Sequence, residues 1–182
     1  VEVIAGSMFS GKTEELLRRL RRSQIARQKT QVFKPALDLR YGRESVQSHD
    51  STKTQATPVE SASQILELTE ENTLVVGVDE AQFFDDALVG VVERLAYRGK
   101  RVILAGLDLD YLGRPFGPMP GLLAVAESVT KLAAICVVCG GAASRTQRLV
   151  APSEVTSPVM VGGFKEYEPR CRMCHDPGVS PR

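Results

Sequence analysis

Val1-Glu2-Val3-Ile4-Ala5-Gly6-Ser7-Met8-Phe9-Ser10-Gly11-Lys12-Thr13 is the stretch that decides the fold. Its first five residues read as a strand, and from Thr13 to Gln28 apolar residues recur at helical spacing, with Leu16, Leu17, Leu20 and Ile25 on one face. Between them, Gly6 to Thr13 satisfies G-x-x-x-x-G-K-[ST] in full, in the strand-then-helix context that motif needs. Such a loop curls so that several backbone N–H groups converge on one anion, and the helix N-terminus adds its positive dipole end. Gly6, Ser7, Met8, Phe9, Ser10, Gly11, Lys12 and Thr13 are therefore candidate ATP-binding residues. In this chemistry Lys12 reaches the β- and γ-phosphates, and the Thr13 hydroxyl goes to Mg2+.

Outward from this loop, short β-rich runs alternate with helical patterns. Strands are expected at Gln31–Phe33, Leu74–Val78 and Arg101–Ala105, and helices at Ser61–Leu68, capped by Ser61, and at Asp85–Tyr97. Leu74–Val78 is the most hydrophobic run, as suits a central strand of a parallel sheet. The alternation implies right-handed βαβ units and a three-layer α/β domain. Residues 42–57 are polar and read as a loop, and a short helix at Leu122–Ala126 precedes a last core strand, Val129–Ile135. The expected organisation is a nucleotide-binding domain over residues 1–134, a small metal-stapled domain over 135–176 with strands at Thr146–Val150 and Pro158–Val161, and a frayed tail over 177–182.

A phosphoryl-transfer site needs an acid at the end of an apolar strand, and Asp79 follows Val75-Val76-Gly77-Val78. Asp79 would hold Mg2+, because a hard cation takes oxygen ligands. Glu80 comes next and could take a proton from the nucleophile. If that nucleophile is water the chain is an ATPase; if it is a substrate hydroxyl, a kinase. The two motifs do not decide between them.

Cys136-x2-Cys139 and Cys171-x2-Cys174 form two C-x-x-C pairs, the donor set of a closed, structural zinc site with four thiolate ligands. His175 offers an alternative ligand beside Cys174, and Cys174 is preferred. Disulfides do not suit a phosphate-binding intracellular protein.

Composition narrows the class. Of 182 residues, 43% are hydrophobic, enough for a packed core, and 23 basic against 22 acidic residues leave a formal net charge of +1. That balance argues against nucleic acid or an anionic membrane as partner. The basic helix face of Arg18, Arg19, Arg21, Arg22 and Arg27 reads as a solvated or subunit-contact surface. No apolar run approaches a membrane span, and no basic-then-apolar leader opens the chain, so a cytoplasmic location is expected.

Several segments together resemble one family. Gly6–Thr13 with Met8 and Phe9 inside it, Lys34-Pro35-Ala36-Leu37-Asp38-Leu39-Arg40-Tyr41, Ser48-His49, Asp79-Glu80-Ala81-Gln82-Phe83-Phe84, Gly106-Leu107-Asp108, Arg114-Pro115-Phe116-Gly117 and the paired C-x-x-C look like a thymidine kinase of the zinc-containing class found in bacteria and animal cytosol. The resemblance implies a RecA-like P-loop core, a zinc-anchored lasso that closes over the nucleoside, and a homotetramer. It implies transfer of the γ-phosphoryl group of ATP to the 5′-hydroxyl of thymidine, a salvage step toward DNA precursors, with dTTP as feedback inhibitor. By position, Glu80 is then the base for the 5′-hydroxyl, and Lys12, Thr13 and Asp79 serve phosphate and Mg2+. Asp38 and Arg40 lie near the transferred phosphate, with Arg40 as a catalytic cation. Met8, Gln82, Leu107, Tyr111, Phe116, Thr146 and Tyr167 belong to the nucleoside pocket, and Val159, Met160, Val161 and Gly162 to the lasso backbone that meets the thymine edge. On this reading Cys171→Ser weakens thymidine affinity more than ATP affinity. The alternative is a RecA-like ATPase whose zinc appendage binds nucleic acid.

Overall fold

The computed structural model describes residues 1–36, 55–149 and 166–177. Strands β1 (Glu2–Gly6), β2 (Thr30–Pro35), β3 (Thr57–Val59), β4 (Val75–Val78), β5 (Arg101–Gly106) and β6 (Ser128–Leu132) form one sheet in the order β3-β2-β4-β5-β1-β6. All its pairings are parallel. The helices are α1 (Lys12–Ile25), α2 (Ala62–Leu68), α3 (Ala87–Tyr97) and α4 (Met119–Val125). β5 lies between β1, which feeds the glycine-rich loop, and β4, which feeds the acid pair, so both motifs open at the carboxyl edge of the sheet.

Strand alternation builds the three layers. Ile4, Val75, Ile103 and Ala105 share a fully buried cluster with Leu16 and Leu20 of α1. Val3, Ala5, Val76, Val78, Val102 and Leu104 point the other way, into a larger cluster with α2, α3 and α4. Gly77 lets α1 come close: a Cβ there would stand 3.1 Å from both Leu20 methyl carbons. The edges are blunted by a three-residue β3 carrying Pro58 and by Lys131 on β6.

Several boundaries differ from expectation. Thr57, assigned to the polar loop, opens edge strand β3. Ser61 stands at the N-cap of α2 without capping it; its Oγ lies 2.9 Å from Ser63 Oγ, while Gln64 Oε1 accepts from Glu60 N–H. Residues 129–135 divide in two: β6 ends at Leu132, and β7 (Ala134–Ile135) pairs antiparallel with β8 (Ala142–Ala143) in a separate small sheet. A second small sheet joins β9 (Arg145–Arg148) to β10 (Tyr167–Arg170). The strand expected at 158–161 lies outside the described residues. No helix among the described residues is long and apolar enough to cross a membrane.

Candidate active site

The glycine-rich loop is held in its curled form from within. Gly11 at the N-cap of α1 has φ 83° and Phe9 φ 64°, left-handed backbone that lets successive N–H groups face inward. Lys12 Nζ donates to the Ser7 carbonyl at 2.8 Å, and Ser10 Oγ donates to the same oxygen at 2.8 Å. A Cβ on Gly6 would meet the Leu132 carbonyl oxygen at 2.3 Å, so no side chain fits there.

The acids face this loop. Thr13 Oγ1 donates to Asp79 Oδ2 at 3.2 Å, and Glu80 N–H donates to Asp79 Oδ1 at 3.0 Å. Burial, and then the neighbouring Glu80 charge, push the Asp79 carboxyl up to about 7. Burial likewise lowers Lys12 from its ordinary value, opposed by Glu80, Asp79 and Asp108. These groups are therefore close enough to feel one another in a crevice with little water. Glu80 has φ 51°, a strained conformation for a residue with a side chain. That twist, just past the end of β4, is how consecutive acids reach one crevice instead of opposite faces. Gln82, 2% exposed in the 3-10 turn Ala81–Phe83, donates to Glu80 Oε2 and accepts Leu107 N–H at 2.9 Å.

The cysteine module packs on the loop. All four Sγ atoms of Cys136, Cys139, Cys171 and Cys174 lie within 4.8 Å of one another, and Cys139 and Cys171 are 3.7 Å apart. Sulfurs about 2.3 Å from a tetrahedral zinc stand about 3.8 Å apart, whereas a disulfide needs about 2.05 Å. Backbone N–H donors, that of Cys171 first, pull the Cys136 thiol down to about 6, while the Cys171 sulfur and burial push Cys174 up to about 12. Crowded thiols cannot all ionise alone, and a dication removes that conflict, so the set fits zinc. His175 is used elsewhere: its Nε2 lies 2.9 Å from the Tyr111 carbonyl oxygen. Phe9, like Cys171 and Cys174, packs against the buried cluster of Ala134, Cys136 and Ala143, and Ser7 Oγ donates to the Ala143 carbonyl at 2.9 Å. Met8 N–H donates to Thr146 Oγ1 at 3.1 Å. The module thus braces the phosphate loop itself.

These contacts span the chain, and so does its kinship: the family model described as thymidine kinase matches residues 1–175. The chain belongs to the thymidine kinase family. As a member of a nucleoside-kinase family it is a transferase, and the kinase reading of the acid pair stands over the ATPase reading.

For a thymidine kinase, the expected site residues fall into two neighbouring groups. Lys12, Thr13, Asp79, Glu80, Gln82 and Leu107 gather around the crevice. Phe116 packs edge-on against Phe83, ring centroids 5.6 Å apart, next to the acid turn. Met8 and Thr146 join this crevice to β9, where Tyr167 stands opposite Arg148 and the Arg148 guanidinium lies 5.0 Å over the Tyr111 ring. Asp38, Arg40, Val159, Met160, Val161 and Gly162 lie outside the described residues. The sequence pattern assigns no role to two residues here. Asp108, paired with Lys131 at 3.1 Å, is a third carboxylate acting on Lys12, and its position straight after β5 was the available signal. Arg148 is buried, and nothing in the pattern Thr146-Gln147-Arg148-Leu149 marks a cation as internal.

Proposed function

We propose that this member of the family transfers the γ-phosphoryl group of ATP to the 5′-hydroxyl of thymidine, giving dTMP and ADP. The observation that carries the reading is the union of Lys12, Thr13, Asp79 and Glu80 in one buried crevice at the carboxyl edge of the sheet. Backbone N–H groups of residues 8–13 and Lys12 receive the triphosphate. Thr13 and Asp79 are the oxygen donors for Mg2+, which when bound neutralises phosphate charge. Glu80, oriented by Gln82, takes the proton of the 5′-hydroxyl as the oxygen attacks phosphorus. Arg40, by resemblance, offsets charge on the transferred group. Aromatic and thioether surface from Met8, Tyr111, Phe116 and Tyr167 suits a flat pyrimidine. The resemblance extends the proposal to feedback inhibition by dTTP, a homotetramer and a cytoplasmic setting.

The test is ADP formation from ATP·Mg2+ with thymidine, with single-stranded DNA, or with neither. Stimulation by thymidine, with label from the γ-phosphate recovered in dTMP, is expected; stimulation by DNA alone would overturn the reading. Glu80→Gln should leave ATP binding intact and lower kcat about 10²–10⁴-fold. Turnover near that of the wild type would remove Glu80 from the mechanism.

A further inference from the structure

Arg148 is 7% exposed, and its Nε and Nη2 atoms have no hydrogen-bond partner among the described residues. None of the ion pairs there includes it either. A buried guanidinium with idle N–H groups is costly, because it has given up water and gained nothing in exchange. Its guanidinium lies 5.0 Å over the face of Tyr111, which supports the cation but satisfies none of its donors.

The surroundings say what the donors are for. Arg148 and Thr146 are two apart on β9 and so share a face of that strand. Directly across from Arg148 on β10 is Tyr167, whose hydroxyl is pushed above its ordinary value mainly by burial. Thr146 in turn holds the Met8 N–H of the phosphate loop. The idle donors therefore stand among side chains proposed to line the nucleoside pocket, on the far side of Thr146 from the phosphate loop. A triphosphate already has Lys12 and the loop N–H groups. The nucleoside's other acceptors are the carbonyl oxygens of its ring, which are neutral, in plane, and matched to a planar donor fork.

We propose that Arg148 is a nucleoside-binding residue that donates from its guanidinium to a ring carbonyl oxygen of the pyrimidine, and so favours bases presenting carbonyls over those presenting amino groups. The inference rests on the nucleoside-kinase reading above. Arg148→Met keeps the bulk and removes every donor; Arg148→Lys keeps the charge and removes the fork. Thymidine and ATP affinities would be measured separately by calorimetry on zinc-loaded protein, beside zinc content and thermal midpoint. The expected result for Arg148→Met is thymidine binding weakened about 10–100-fold, the worth of a buried hydrogen bond to a charged donor, with ATP affinity within about twofold. Arg148→Lys should recover part of the loss. Because the free protein no longer buries idle donors, its midpoint in Arg148→Met should hold or rise. Thymidine affinity unchanged in Arg148→Met would overturn the proposal, as would equal loss of thymidine and ATP affinity with a fallen midpoint, the mark of a purely structural residue. Wild-type protein that binds ATP but no thymidine would overturn the kinase reading and this inference together. Intact wild-type binding beside an unaffected variant overturns the inference alone.

Discussion

Gln82 Nε2 lies 2.5 Å from Glu80 Oε2. The same carboxamide accepts Leu107 N–H through its oxygen, so it spans from the acid turn after β4 to the loop after β5 with both ends engaged. A base must be aimed before its pKa matters, and here the aim comes from a neutral, buried side chain. Gln82→Met should therefore lower kcat about 10-fold or more while ATP affinity stays put, since misplacement of a reacting group by about 1 Å can cost 10²-fold. Gln82→Glu, which puts a second carboxylate beside Glu80, should also move the acid limb of the pH–rate profile upward. A profile unchanged in both variants would show that Glu80 needs no such support.

Asp79 makes stability depend on pH in the direction opposite to most paired carboxylates. Its carboxyl is pushed to about 7 in the folded chain, against an ordinary value of about 3.9. The folded state therefore holds a proton that the unfolded state releases, and its contribution is least unfavourable below about pH 4 and worsens as pH climbs to about 7. Asp79→Asn abolishes that slope. Denaturant unfolding in magnesium-free buffer should show the variant gaining stability relative to wild type from pH 5 to pH 8, and more stable than wild type at pH 8, with the cysteine contribution cancelling in the difference. Added Mg2+ should stabilise wild type at pH 8 and not the variant. A variant less stable than wild type at both pH values would contradict this.

The metal module and the phosphate loop share contacts that a lid alone would not need. Ser7 Oγ reaches the Ala143 carbonyl, and Phe9 packs on the same small cluster, Ala134, Cys136 and Ala143, that Cys171 and Cys174 pack on. Cys171→Ser, or zinc extraction, should therefore weaken ATP binding as well as thymidine binding, which departs from the expectation drawn from sequence. Ser7→Ala separates the link from the metal. It should keep full zinc content and lower affinity for a fluorescent ATP analogue several-fold, because a buried carbonyl loses its donor. ATP affinity untouched by zinc extraction would show that the two units are energetically independent.

Much of this was legible in the chain, for physical reasons that differ by element. Val75–Val78 is buried on both faces and so is apolar throughout; the phosphate loop and the C-x-x-C pairs are fixed by chemistry that tolerates few residue types. β3, with Pro58 inside three residues, and β10, Tyr-Glu-Pro-Arg, carry no strand pattern of their own and form only because β2 and β9 offer partners. The left-handed Glu80 is likewise invisible, since Glu has no preference for that conformation. Burial of Arg148 is a tertiary fact, because a cation read in isolation is assigned to the surface.

Neither Gly90 nor Gly106 has a left-handed φ, so at each the effect of an alanine is set by its element and by what the new Cβ would meet. Gly90 sits inside α3 with nothing within 4 Å of where a Cβ would stand, so Gly90→Ala should raise stability about 0.5–1 kcal/mol by helix propensity and leave turnover unchanged. At Gly106 a Cβ would stand 2.7 Å from Met119 Sδ and 2.9 Å from Gln82 Oε1. Both are ends of flexible side chains, so the chain can fold around an alanine, at about 1–3 kcal/mol for overpacking. Gln82 moves only by loosening its hold on Leu107, and with it on Glu80. Gly106→Ala should therefore lower kcat as well as the thermal midpoint, with KM for ATP little changed. A lowered midpoint with wild-type kcat would mean that Met119 alone gives way, and that the position of Gln82 does not govern the base.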